Sequence, residues 1–438
     1  MKCKAIFLLA AVLSAVCVSA QPQVDLDSVQ FSQDPETRKV AVSYVLRNAP
    51  AVITLDIQTN TVVDASGDWV SIGAANIRDT YGEVNCVVTN LGLRSVAYWQ
   101  PDIAWSGHDL AAGQLRAQIC AWSLSSPPDY MVIDLVRTNS VEFYVSKEQI
   151  PGGVTAKIYK TEKLVMRRIH ASGVEWRMGA PAGEVGQYDD AWKTLETTHK
   201  VTLSSDYYMS VFEFTQGQNK NLKKASGYTG TYTGSDRAVH PYDYVSFNDE
   251  RGDAGLNSDW NWPAGKGVKS SGLYGRLRSW AGIDSFDMPT EAQWEFACRG
   301  GTGTGLNNGT ELAYNNDPMA SGVVGWCRGV EGNDLNNTQE VGLKVPNAWG
   351  IYDMHGNVAE CCRDWWYDGA LGNLNQMTDP EGPETGTYRV VRGGAYLYWP
   401  FFARSGCRSS KATPDTWGTQ TPGFRVVCEV DVSGLVGE

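Results

Sequence analysis

At 438 residues, with 42% hydrophobic and 20% charged side chains, the chain has ordinary globular composition and a length suited to two or three domains. Its 37 basic against 49 acidic residues give a net charge of −12, which argues against a nucleic-acid backbone or an anionic membrane surface as partner.

At the N-terminus, Lys2 and Lys4 precede an apolar run from Ala5 to Val18, and Val18-Ser19-Ala20 meets the small-residue rule for signal peptidase. Residues 1–20 are therefore expected to be a signal peptide, and the protein secreted or periplasmic. The apolar run is shorter than a spanning helix, and no later segment reads as a transmembrane span. Ten cysteines less Cys3 and Cys17 leave eight, an even number that in an exported chain favours disulfides over metal thiolates.

From Val24 to about Ser125, short runs rich in Val, Ile, Thr and Tyr recur between turn residues: Val40 to Val45, Val52 to Ile57, Val84 to Val88 and Leu115 to Trp122. They predict a β-sandwich of immunoglobulin or fibronectin type over 21–128, with Cys86 and Cys120 placed to bridge its sheets. Ser126-Pro127-Pro128 marks a boundary. The stretch 129–160, with strand-like Tyr130 to Leu135, Val141 to Val145 and Val154 to Tyr159, reads as a connector.

From about Leu164 regular periodicity fades, and Trp and Gly become frequent. The clearest helix runs from Glu291 to Cys298, capped by Thr290 with Gln293 as the capping-box partner and ended by Arg299-Gly300-Gly301. A second short helix is expected after Ser246. The densest stretch is Val341 to Trp366, where Gly342, Gly350 and Gly356 alternate with Trp349, Tyr352, Met354, Trp365 and Trp366. It predicts a buried, ordered loop core of the kind that carries a site, with Cys327 reaching Cys361 or Cys362 across it.

Several motifs in this half resemble, in order, those of the formylglycine-generating enzyme or sulfatase-modifying-factor family. They are GVEWRMGAP at Gly173, YYMSVFEFTQGQ at Tyr207, HPYDYVSFND at His240, MPTEAQWEFACRGG at Met288, PNAWGIYDMHGNVAE at Pro346, RVVRGGAY at Arg389 and TPGFRVV at Thr421. The resemblance implies an FGE-sulfatase domain over 161–430, similar to C-type lectins and poor in regular structure. The whole chain is then α+β, an all-β module followed by this domain.

The family's enzymes oxidise a sulfatase cysteine to formylglycine, using oxygen and a copper(I) ion held by two cysteines. At the corresponding positions this chain has Tyr398 and a stretch ending at Ala403, and Ala395 replaces the serine. Copper(I) selects soft thiolates, so copper is not expected here. The family's carbon–sulfur-bond-forming branch uses iron held by histidines, whereas the five histidines here are scattered. In some relatives the cysteine of the CRGG motif is bridged, which implies Cys298 with Cys407. The resemblance also implies calcium at the Gly356 to Glu360 turn, through Asn357 and Glu360. The alternative is that Asn357 caps the turn and Glu360 pairs with an arginine. Arg389, Arg392, Arg404, Arg408 and Arg425 read as structural ion-pair formers, with Glu360, Asp364 and Asp415 available.

Two functions remain. One is a non-oxidising member that binds a peptide or glycan through an aromatic groove formed by Tyr396, Tyr398, Trp399, Phe401, Phe402 and Trp417, with Arg404 beside it. The other is a formylglycine-generating-type oxidoreductase, or a related non-haem metal oxidase, with an atypical site and a sulfatase as partner.

Overall fold

The computed structural model describes residues 21–436, apart from 61–67, 111–112, 188, 245, 253–260, 334–336, 370 and 413–421. The expected signal peptide lies outside the described residues. The described helices include none long and apolar enough to cross a membrane.

The N-terminal part is a sandwich of two sheets. In the first, the central strand Val40–Arg47 pairs with Arg94–Trp99, Gln23–Val24 and Gln30–Gln33. Its alternation is that of a half-buried strand, with Val40, Val42, Tyr44 and Leu46 turned into the core. In the second sheet, Ala51–Thr59 pairs with Leu115–Trp122, Val70–Ser71 and Val87–Val88. Ala51–Thr59 is buried on both sides for most of its length. Ile53, Leu55 and Ile57 fill the sandwich, while Val52 packs into the main core of the following domain.

This topology excludes the expected Cys86–Cys120 bridge. Cys120 lies opposite Thr54 on one flank of Ala51–Thr59, and the carbonyl of Cys86 accepts the Ile53 N–H on the other flank. Two strand spacings in one sheet amount to about 9.5 Å, beyond the roughly 7 Å that a disulfide tolerates between α-carbons. The sequence rhythm located the strands but put the two cysteines on different sheets.

Residues 129–160 are not a connector. Tyr130–Asp134 and Val141–Tyr144 form a hairpin that begins the second domain's main sheet, in the order Val141–Tyr144, Tyr130–Asp134, Lys163–Ile169, Tyr207–Ser210, Val427–Glu429. Both faces of this sheet are covered. Met131, Ile133, Phe143 and Met166 pack into the largest core, and Tyr130, Val132, Tyr144 and Val165 into a smaller one on the other side. The strand expected at Val154 to Tyr159 does not form. After Gly152 and Gly153, both at positive φ, the chain turns into a 3-10 helix at Lys157–Lys160, pinned by the Tyr159 hydroxyl on the Pro151 carbonyl.

The Glu291–Arg299 helix forms with its capping box complete and ends at Gly300 in the left-handed region. The same device at Thr215 and Gln218 starts Gln216–Lys223, a helix the sequence reading missed. Leu273–Ala281 and Pro318–Val324 were also missed, and the short helix after Ser246 is Phe247–Glu250. A second small sheet, with strands Ala359–Trp365, Arg389–Arg392, Ser409–Ala412 and Pro422–Gly423, carries the loop core onto the helix Glu291–Arg299.

Non-reducing peptide mapping should recover Cys86 and Cys120 in separate, unbridged peptides. A crosslinked pair would show that the strand order of the second sheet is wrong.

Candidate functional site

The Val341 to Trp366 segment is the buried loop core that its composition predicts. The Asn347 amide donates to the Ala297 carbonyl at 2.6 Å and accepts from the backbone N–H groups of Trp349 and Ile351. His355 is fully buried, accepts the Asn307 N–H on Nε2 and donates from Nδ1 to the Ala403 carbonyl at 2.6 Å. Burial pushes its pKa down to about 4, so it is a neutral pin between two loops.

Gly356–Glu360 does not offer the expected calcium ligands. Asn357 donates to Glu213 at 2.6 Å and accepts the Gln339 N–H. Glu360 takes the Arg425 guanidinium at 2.6–3.0 Å and the Trp294 indole N–H at 2.6 Å. Both side chains are therefore engaged with protein partners; Glu360 pairs with an arginine as in the alternative posed above, whereas Asn357 ties two other segments together rather than capping its own turn. Among the described residues no group of three or more His, Cys, Asp or Glu has an arrangement that could hold a metal.

Three carboxyls, of Glu213, Asp353 and Glu360, surround Arg425 at 0–2% exposure. Burial, and then the neighbouring carboxyls, hold Glu213 well above the ordinary carboxylate range. Asp353 is raised to about 6, chiefly by burial, although it accepts the Gly342 N–H at 2.6 Å and feels Arg425 and Lys160. Its Oδ1 has no hydrogen-bond partner. Burial thus favours the protonated form of Glu213 and, below about pH 6, of Asp353 as well.

The other arginines are structural as expected, but their partners differ. Arg392 pairs with Glu295, and Arg408 with Glu291 at 2.7 Å. Arg404 bonds Glu184 at 2.6 Å and Glu196 at 2.9 Å with no exposure, so it is not part of a groove. Among the described residues Arg389 has no salt-bridge partner; it donates to the Trp262 and Arg363 carbonyls and lies 3.3 Å from the Trp365 ring centre. Asp415 lies outside the described residues.

The loop after Gly393 and Gly394 carries the positions at issue for catalysis. Both glycines have positive φ, and a β-carbon on Gly394 would meet the backbone of Ala403 at 3.0 Å, so the loop closes on itself here. Ala403 is fully buried against Trp326, Cys327 and Val330, and Ala395 is buried as well. Tyr398 is half-buried, edge-on to Phe402 at 5.6 Å, and Phe402 packs against Phe401 and edge-on to Trp192. Tyr396 is buried at 5% exposure, with its carbonyl accepting from Asn333, so it lines no surface. Trp399 is the ring that reaches solvent, at 37%. Trp417 lies outside the described residues.

All eight described cysteines are free thiols. Cys298 contacts the Ser405 hydroxyl at 3.6 Å, while Cys407 sits beside Glu196 and Arg404, so Ser405 separates the expected pair. Cys361 and Cys362 alternate into two different cores, and Cys327 lies in a third cluster. Burial raises Cys298 and Cys327 to about 12 and Cys407 further still, so none of them is a ready thiolate.

The sequence reading also missed two ring–cation pairs beside this loop. Arg328 lies 4.7 Å from the Trp399 ring centre and Lys344 lies 3.6 Å from that of Trp326. A cleft of about 800 Å³ lies elsewhere; Arg168, Lys266 and Arg363 on its walls are taken by Asp206, Glu381 and Asp287.

The family described as the sulfatase-modifying factor enzyme 1-like domain matches residues 168–430, and the chain belongs to it. It is 32% identical over 209 residues to the formylglycine-generating enzyme of Thermomonospora curvata, covering 45% of this chain and 57% of that one. With the chaperone protein LppX of Paenibacillus barcinonensis it shares 28% over 229 residues, 47% of this chain and 76% of that one. The formylglycine-generating enzyme of Streptomyces coelicolor matches at 34% over 172 residues, 36% of this chain and 51% of that one. The chain thus spans about half the length of the two formylglycine-generating enzymes. Among solved structures, PvdO from Pseudomonas aeruginosa superposes with a TM-score of 0.46 at 25% identity, covering 60% of this chain and 94% of that one.

Asp353 supplies a test of the buried carboxyl cluster. Its folded-state pKa is raised from 3.8 to about 6, so its carboxylate opposes folding, and the penalty grows as pH rises through that window. Asp353→Asn keeps the acceptor for Gly342 and tolerates the φ of +58°. It should stabilise the protein by about 2–3 kcal/mol at pH 8 and by nothing measurable below the unfolded carboxyl pKa of about 3.9. Urea midpoints at the two pH values measure this, and a destabilised variant at pH 8 would refute it.

Proposed function

We propose that this protein is an exported, non-oxidising member of its family that binds a peptide or glycan on the aromatic surface around Trp399. One observation carries the reading: the loop that holds the copper-binding cysteines in the family's enzymes here carries a half-buried Tyr398 and a fully buried Ala403. Neither can give copper(I) a soft donor, and burial pushes the Tyr398 phenol above its usual pKa, so it stays protonated. Cys327, in the same cluster as Ala403, is held as a thiol by burial. What the loop presents to solvent is Trp399, backed by Tyr398, Phe401 and Phe402. Rings held in this way suit stacking on a sugar face or gripping a chain. The relative named as a chaperone protein is consistent with binding without oxidation. Export rests on the N-terminal pattern of Lys2, Lys4, the apolar run and Val18-Ser19-Ala20.

Incubated with copper, a reductant and a sulfatase-type cysteine peptide, the protein should leave the thiol intact by mass spectrometry. Gain of an aldehyde would overturn the reading and restore the oxidase. On peptide and glycan arrays, Trp399→Ala should weaken whatever the wild type retains by about tenfold or more, as removal of a central aromatic anchor does.

A further inference from the structure

The two ring–cation pairs make this surface selective. Arg328 is exposed and Lys344 half-buried, and among the described residues neither forms an ion pair, in a chain with a net charge of −12. Arg328 and Trp326 are two residues apart, about 6–7 Å in extended backbone, and the Arg328 N–H donates to the Tyr398 carbonyl at 2.8 Å. The two pairs therefore adjoin along one tract next to the Pro400–Ala403 turn.

Trp326 itself is 9% exposed, and Lys344 lies over its ring, so what this end of the tract offers to a partner is the Lys344 ammonium rather than the buried indole. Glu331, which is exposed, and the buried Asp353 both act on Lys344 through space without a salt-bridge contact among the described residues.

The rim is aliphatic. Met319 is 81% exposed, and Val345, 52% exposed, donates its N–H to the Val323 carbonyl at 3.2 Å. Leu343 is exposed beside Lys344. Exposed apolar patches of this kind mark interaction sites, and a thioether adapts to varied side chains. Aliphatic side chains match those of an apolar-rich polypeptide.

Resting on the binding role proposed above, we infer that Arg328 and Lys344 receive the carboxylates of an acidic, apolar-rich protein segment laid between Trp399 and Trp326. The cations are held in place by the rings, and the apolar side chains of the segment cover Met319, Val323 and Val345. Because the attraction is between exposed charges, affinity should fall as salt rises.

The test is fluorescence anisotropy of the full chain with short fluorescein-labelled peptides of alternating Glu and Leu, or of alternating Lys and Leu, and with a labelled heparin oligosaccharide. The Glu/Leu peptide should bind, the Lys/Leu peptide should not, and the double variant Arg328→Ser, Lys344→Ser should weaken binding by about tenfold or more. These are surface positions, and a thermal melt checks that the variant folds. Equal binding by the double variant, preference for the Lys/Leu peptide, or binding of the heparin oligosaccharide alone would each overturn the inference. If Trp399→Ala loses an array ligand that the double variant retains, the groove reading stands and this one falls. Blank arrays with no peptide binding remove both.

Discussion

Arg425 ties the second domain together. Its guanidinium grips Glu360, at the start of the Ala359–Trp365 strand, and donates to the carbonyls of Ser210, Val211 and Tyr352. Glu360 in turn accepts the indole of Trp294 in the Glu291–Arg299 helix. One charge pair thus joins the main sheet, the loop core, the small sheet and the helix without exposure to water. Desolvating both ions is expensive, so the pair is a weak argument for net stability. It is a strong argument for uniqueness of position, because removing Arg425 leaves the Glu360 carboxylate unpaired in the core, at a cost of about 3–5 kcal/mol.

The same solution recurs wherever the chain lacks regular ladders. Arg392 with Glu295, Arg404 with Glu184 and Glu196, Arg408 with Glu291, and Arg251 with Asp287 are all fully or almost fully buried. Irregular loops leave carbonyls without strand or helix partners, and a guanidinium can satisfy several at once while one carboxylate balances its charge. Carboxyls outnumber the guanidinium around Arg404, which meets Glu184 and Glu196, and more so around Arg425, where burial favours a proton on Glu213.

What could be read from the sequence follows from how far each interaction reaches. The Thr290 to Gln293 capping box spans four residues, and the helix it starts is where it was expected. The arginines were recognisable as ion-pair formers by type. Their partners were not: Arg404 meets Glu196 and Glu184 across 208 and 220 positions, and no local pattern encodes that. Arg404 therefore looked like a groove residue. Among the aromatic residues Tyr396 to Phe402, composition identified a ring cluster but could not show which ring reaches solvent. Strand rhythm found Tyr130 to Leu135 and Val141 to Val145, yet could not show that they pair forward with Lys163–Ile169. Proline and glycine turns around them looked like a boundary.

That forward pairing changes what counts as the movable unit of this protein. The family match starts at residue 168, inside Lys163–Ile169, but the sheet to which that strand belongs begins at Tyr130. A fragment cut at the match would lose most of Lys163–Ile169 together with the hairpin and leave backbone groups of Tyr207–Ser210 as an open edge, the kind of surface on which chains stick to one another. It would also uncover the faces that Met131, Ile133 and Phe143 now close. The contact runs upstream too, since the Phe143 N–H donates to the Asn85 carbonyl at 2.7 Å, inside the sandwich. The N-terminal module is thus joined to its neighbour through backbone as well as side chains, so a piece that is to keep the sheet closed has to carry the hairpin with it.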